Sequence, residues 1–273
     1  MAAALRGAWR LARATLHGLH GLGVVLVLFP FFSRGQREAR IRRWAARMFR
    51  MLGMRLEVRG TFRAGAKLLV SNHLSWLDIM AVHAACPEAR FVSKAEVRDW
   101  PLVNRLVAAA RTLYLERERA RDALRVVHEM AQALADGDTV AVFPEGTTGT
   151  GHALLPFHAN LLQAAISTRT PVQPLALRFA EADGRVCAAA DFSGDITMWQ
   201  SLWALARARG IVVSLVVLAA HDTAQADRRA LAARLREVIS EALAALDAPA
   251  ARDDAPDAPD APDARTPAPG GAV

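Results

Sequence analysis

The stretch Leu68-Leu69-Val70-Ser71-Asn72-His73-Leu74-Ser75-Trp76-Leu77-Asp78 decides how the chain is read. Leu68 to Ser71 has strand character, and a histidine and an aspartate follow it directly. On one ideal helix, residues five apart point about 140° away from each other. His73 and Asp78 can therefore meet only if His73 lies in a turn before a helix that carries Asp78. The stretch reads strand, turn, helix, and the rest of the body repeats that rhythm. Strand-like runs fall at Leu56–Arg59, Leu68–Ser71, Arg90–Ser93, Leu113–Glu116, Thr139–Phe143, Val172–Arg178, Val186–Asp191 and Val212–Leu218. Helical patterns lie between them at Arg121–Ala135 and Pro156–Ile166, and Arg228–Leu246 closes the body. Such alternation predicts a single α/β domain over 56–247, a mixed and largely parallel sheet flanked by helices.

The histidine and carboxylate point to chemistry. A carboxylate that accepts a hydrogen bond from one imidazole nitrogen fixes the tautomer and stabilises the imidazolium, leaving the other nitrogen as general base. A protein nucleophile is missing, because no Gly-x-Ser-x-Gly elbow occurs anywhere in the chain. A base without a nucleophile suits direct activation of a substrate hydroxyl. The same residues also suit a histidine that merely caps a helix. Further along, Val140-Ala141-Val142-Phe143-Pro144-Glu145-Gly146-Thr147-Thr148-Gly149 is a β run ending in a glycine-bearing loop. Such a run leaves the sheet where α/β proteins bind ligands. Backbone N–H groups near Gly146, with Thr147, suit phosphate oxygens; a plain strand-to-loop turn is the alternative. The run Leu113-Tyr114-Leu115-Glu116-Arg117 ends in an arginine, a good phosphate clamp, with Arg119 and Arg121 as rivals.

The 273 residues carry a net charge of +7, unevenly placed. Residues 1–60 hold 12 arginines against Glu38 and Glu57, residues 61–247 are neutral, and 248–273 carry −3. A basic arm of this kind seeks phospholipid headgroups or nucleic acid. Leu19–Phe32 is an apolar run, about 21 Å as a helix and too short for the ~30 Å hydrocarbon core. Pro30 would end or kink it, so a shallow or re-entrant insertion is expected. A cleaved signal peptide is the competing reading, but Ser33-Arg34-Gly35-Gln36-Arg37 offers no small-x-small cleavage site. From Gln36 to Leu52, Ile41, Trp44, Ala45, Met48 and Leu52 share a helix face, with Arg37, Arg40, Arg43, Arg47 and Arg50 mostly opposite. That pattern fits a helix in the headgroup layer, or one docked on the protein's own core. Residues 1–55 thus read as a membrane-binding helical arm, and 248–273, with Ala-Pro-Asp repeats, as a disordered tail.

Hydrophobic residues make up 53% and charged residues 22%, which excludes wholesale disorder. Only one stretch approaches span length, which excludes a polytopic membrane protein. Cys86 and Cys187 cannot form a disulfide framework or a cysteine-based zinc site. Neither a Walker A loop nor a zincin motif is present, so no metal site is expected.

Taken in order, His-x4-Asp after a strand, an arginine-ending strand, Phe143-Pro144-Glu145-Gly146-Thr147 and Pro171-Val172-Gln173-Pro174 resemble the 1-acylglycerol-3-phosphate O-acyltransferases. These belong to the glycerophospholipid acyltransferase superfamily, and the likeness runs from about Leu68 to Leu177. The resemblance implies that His73 is the general base and Asp78 its orienting partner. It implies that Arg117 contacts the acceptor phosphate and that Glu145, Gly146 and Thr147 belong to the acceptor-binding loop. It implies acyl transfer from acyl-CoA or acyl carrier protein to the sn-2 hydroxyl of 1-acylglycerol-3-phosphate, giving phosphatidic acid, without a cofactor. The expected setting is the cytoplasmic face of a bacterial inner membrane rich in anionic lipid. Another lyso-lipid acceptor, such as lyso-ornithine lipid, is the nearest alternative, and a nucleic-acid-binding protein with a basic arm is the distant one. Three departures stand out: Ala110-Arg111-Thr112 where many relatives have glycine, His158-Ala159-Asn160 after Pro156-Phe157 where relatives often have a basic residue and then glycine, and Thr148 where many have Arg or Ser.

Overall fold

The computed structural model describes residues 2–101, 103–115 and 120–247. Seven strands, β1 (Arg55–Arg59), β2 (Lys67–Ser71), β3 (Arg90–Lys94), β4 (Leu113–Leu115), β5 (Thr139–Val142), β6 (Val172–Ala180) and β7 (Val212–Val217), form one sheet in the order β1-β7-β6-β2-β5-β3-β4. The five strands from β6 to β4 run parallel; β7 is antiparallel to β6 and parallel to β1. The expected mixed, largely parallel sheet is therefore present. β2 is buried along its whole length. Alternation along it sends Leu68 and Val70 to one face and Leu69 to the other.

Helices cover both faces. On Leu69's side lie α2 (Arg34–Leu52), α3 (Leu77–Ala85) and α7 (Met198–Arg207), contributing Phe49, Leu52, Leu77, Ala81 and Leu205 to the core. On the other lie α5 (Ala120–Ala135), α6 (Gln163–Thr168) and α8 (Arg228–Asp247), contributing Val126, Met130, Leu134, Leu235 and Ile239. The short α4 (Val103–Ala109) follows β3.

The N-terminal arm is less separate than its composition implies. The first helix, α1 (Ala2–Val27), ends before a 3-10 turn at Phe29–Phe31, where Pro30 stops it. Among the described residues no helix is long and apolar enough to cross a membrane. Arg10 Nη1 donates to the Ala208 carbonyl at 2.6 Å, and Arg6 Nη2 to that of Arg207 at 3.2 Å. Two arginines thus complete the C-terminus of α7, where carbonyls lack partners and positive charge is favoured. α2 settles its two readings in favour of the core: Ala45, Met48, Phe49 and Leu52 are buried against α3 and the sheet. Trp44 Nε1 donates to the His17 carbonyl at 3.0 Å, and its ring lies against Gly21, where a Cβ would come within 2.4 Å of the indole.

Two expected elements differ. Val186–Asp191 is a single bridge from Val186 to Ala180 followed by a 3-10 turn at Ala188–Ala190. Three successive alanines offer no β-branched surface to pack. Of the helix expected over Pro156–Ile166, the first part is extended, Ala159–Leu162 is a 3-10 turn and the α-helix α6 begins only at Gln163; the His158 N–H donates to the Pro144 carbonyl at 2.8 Å. The end of the fourth strand-like run, Glu116, and the tail 248–273 lie outside the described residues.

Candidate active site

β2 and β5 are parallel neighbours, so the turns that leave their C-terminal ends emerge side by side. One carries His73 and the other Glu145 to Thr148. Asp78 sits in the first turn of α3, where a negative charge complements the helix dipole. Its Oδ2 accepts three hydrogen bonds: from His73 Nδ1 at 2.8 Å, from the Leu74 N–H at 2.6 Å and from the Ser75 N–H at 2.9 Å. The carboxylate therefore folds the turn and orients the ring at once. Its Oδ1 is buried without a partner among the described residues.

His73 is partly open to solvent, and its ring stacks on Phe143 with centroids 4.0 Å apart and planes 8° from parallel. Phe143 in turn stacks on Phe91, which meets His83 edge-on. With Nδ1 facing Asp78, Nε2 is the nitrogen without a hydrogen-bond partner among the described residues. This is the arrangement in which an imidazole accepts a proton from a hydroxyl.

Several supports were not visible in the motifs. The Asn72 side chain donates to the Leu177 carbonyl and accepts from the Leu177 N–H, both at 2.8 Å. It continues the β2–β6 ladder for one more step after Ser71 has paired with Leu175. His73 is also held by its main chain: its N–H donates to Glu145 Oε1, and its carbonyl accepts from the Gly149 N–H, both at 2.8 Å.

The remaining site residues are placed as follows. Glu145 is buried, and burial pushes its carboxyl up, against the backbone N–H groups of Leu155 and His73. Gly146 has φ 72°, and a Cβ there would come within 3.0 Å of the His158 ring, so the turn favours glycine. Thr147 is exposed. Thr148 Oγ1 donates to the Phe192 carbonyl at 2.7 Å, which ties this loop to the segment leading into α7. Trp76 Nε1 meets Ser201 Oγ on α7 at 3.2 Å. Arg117 lies outside the described residues, as does Arg119. A cavity of about 140 Å³ beside the dyad is lined by Asn72, His73, Glu145, Gly149, Leu177 and Arg178 among others.

The departure at Ala110-Arg111-Thr112 has a structural explanation. Arg111 takes the left-handed conformation, φ 58°, that favours glycine. Its guanidinium grips buried Asp138 with two hydrogen bonds of 3.0 and 2.8 Å, and Arg34 and Arg90 bind the same carboxylate. A bidentate, charge-assisted pair of this kind offsets the backbone strain.

A histidine–aspartate pair at the carboxyl edge of a parallel sheet has the geometry of an acid–base site. Comparison with known proteins gives the family. The Acyltransferase family profile matches residues 55–178. A lyso-ornithine lipid O-acyltransferase of Pseudomonas aeruginosa is 34% identical over 213 residues, covering 78% of this chain and 81% of that protein. A 1-acyl-sn-glycerol-3-phosphate acyltransferase of Neisseria gonorrhoeae is 32% identical over 178 residues, covering 65% and 69%. The crystal structure of the 1-acyl-sn-glycerophosphate acyltransferase PlsC from Thermotoga maritima superposes with a TM-score of 0.62 at 23% identity, over 88% of this chain and 98% of that one. The chain belongs to the acyltransferase family, and it is an acyltransferase.

Proposed function

We propose that the enzyme acylates the sn-2 hydroxyl of 1-acylglycerol-3-phosphate, with an acyl thioester of coenzyme A or acyl carrier protein as donor. The observation that carries the chemistry is the His73 ring, fixed through Nδ1 by Asp78 with Nε2 unoccupied. Nε2 takes the hydroxyl proton as the oxygen attacks the thioester carbonyl. The carbon–sulfur bond then breaks, and the proton passes from His73 to the departing thiolate. Ester and thiol are the products, and the step balances without a cofactor. Arg117 and the Gly146–Thr147 turn hold the acceptor phosphate, which fixes the hydroxyl for attack.

The acceptor is tested by a panel of lyso-lipids assayed with one acyl thioester. 1-Acylglycerol-3-phosphate should give the highest kcat/KM, and Arg117→Ala should raise its KM while leaving the donor KM unchanged. A higher kcat/KM for lyso-ornithine lipid would overturn the acceptor assignment and keep the chemistry; the relative from Pseudomonas aeruginosa favours that second reading.

We infer further that the protein works docked on a membrane surface, at the cytoplasmic face where acyl thioesters are available. The support is the outer face of α1. Leu5, Trp9, Leu16, Leu19 and Leu26 recur along it at helical spacing and are 52–76% exposed. Such a face has no use in water, and lipid is its natural partner. Trp199, 64% exposed, adds an amphipathic side chain on α7, the helix against which α1 packs. Arg37, Arg40, Arg43, Arg47 and Arg50 are exposed on α2, beside α1, and make no ion pair among the described residues. They complement anionic headgroups, whereas nucleic acid leaves the apolar face of α1 without a role.

A further inference from the structure

We propose that Glu145 is a positioning residue for His73 and not a ligand of the acceptor, an inference that rests on His73 being the base. Glu145 is 5% exposed, and both its oxygens are engaged inside the protein. Oε1 accepts the His73 N–H and Oε2 accepts the Leu155 N–H, each at 2.8 Å. The two donors lie 82 residues apart in sequence, on the turn after β2 and on the loop that precedes α6. The second of these is anchored independently. Arg236 on α8 donates to the Leu154 carbonyl at 2.7 Å and to the Leu155 carbonyl at 3.1 Å. Glu145 thus transmits the fixed position of residues 154–155 to the backbone of the catalytic histidine.

The rest of the same loop finishes the hold. The Gly149 N–H binds the His73 carbonyl, and Phe143 lies flat against the imidazole. Asp78 controls the rotation of the ring, while Glu145 and Gly149 control the peptide groups on either side of the His73 Cα. A carboxylate is required for this because it offers two acceptor oxygens. Glutamine offers one, and its amide N–H₂ would face a second N–H donor. Aspartate is one methylene too short to reach both amides.

The test compares full-length wild type with Glu145→Gln and Glu145→Ala. Initial rates are measured on the best acceptor of the panel, and backbone hydrogen exchange on peptides covering 72–76 and 153–157. Glu145→Gln should lower kcat about 10- to 100-fold, the effect of a catalytic group held roughly 1 Å out of place. The acceptor KM should stay within about threefold of wild type, because only the base has moved. Amide exchange in both peptides should accelerate together in Glu145→Ala. A large rise in acceptor KM at unchanged kcat would return Glu145 to the acceptor site and overturn the proposal. Unchanged exchange in both peptides would overturn it as well, and so would a fully active Glu145→Gln protein. Should Glu145→Ala fail to fold, the exchange comparison is made on Glu145→Gln. A wild type inactive on every lyso-lipid would refute the acceptor assignment alone, since the exchange comparison still decides whether Glu145 holds the His73 backbone.

Discussion

Asp78→Asn separates the two duties of the buried carboxylate. Oδ2 accepts the His73 Nδ1–H and two backbone N–H groups, while Oδ1 is fully enclosed and has no partner among the described residues. An asparagine that keeps its oxygen at the Oδ2 position retains all three hydrogen bonds but loses the charge. A hydrogen bond to a charged group contributes about 1.5–3 kcal/mol, and that extra stabilisation of the imidazolium develops as His73 takes the proton. Losing it should lower kcat about 10- to 150-fold. The new N–H₂ occupies the Oδ1 position, where nothing accepts from it. That costs stability of about 1–3 kcal/mol, or a Tm lower by about 2–10 °C for a chain of this size. The assay is thiol release during acyl transfer, run beside thermal unfolding. A variant with kcat within twofold of wild type and an unchanged Tm would refute the reasoning.

Three other outcomes follow from the geometry. Asp138→Asn strands three arginines on one neutral amide; it should destabilise by about 2–3 kcal/mol, below the full cost of a broken buried pair because Arg34 and Arg111 are half exposed, and unchanged denaturant unfolding would contradict this. Burial pushes the His83 imidazole down to about 4, so the unfolded chain gains a proton near pH 6.5 that the folded chain refuses; stability should be complete above that pH and fall by up to about 3 kcal/mol toward pH 4. His83→Leu should flatten that part of the profile, and an identical slope in both proteins would sink the assignment. Replacing Leu16, Leu19 and Leu26 of α1 together by serine should weaken flotation with anionic vesicles roughly 100-fold, with a smaller loss of Tm because each side chain is more than half exposed; undiminished flotation would place the contact elsewhere.

Local patterns carried much of this architecture. The apolar runs at Leu68–Ser71, Thr139–Phe143 and Val172–Arg178 are strands, as their short length and valine content favour. His73 and Asp78 were readable as a pair because their spacing leaves one way to meet. α2 was ambiguous for a physical reason: a 3.6-residue stripe declares that one face is dry but not whether protein or lipid covers it. The core packing of Phe49 and Leu52 also means that residues 1–52 cannot be cut away as a detachable anchor. Asn72 and Glu145 were opaque for a different reason. Their partners, Leu177 and the amides of His73 and Leu155, present only backbone, and backbone leaves no mark in the sequence. Arg111 looked like a departure from the pattern until Asp138 supplied the interaction that holds it in place.

The central claim is that His73 Nε2 takes the proton from the acceptor hydroxyl. It is met most directly by single-turnover acyl transfer with His73→Ala and His73→Gln, each checked for wild-type circular dichroism and Tm. The account predicts a rate loss of about 10²- to 10⁴-fold in both, the range for removing a general base. A correctly folded variant that transfers acyl groups at close to the wild-type rate would contradict it.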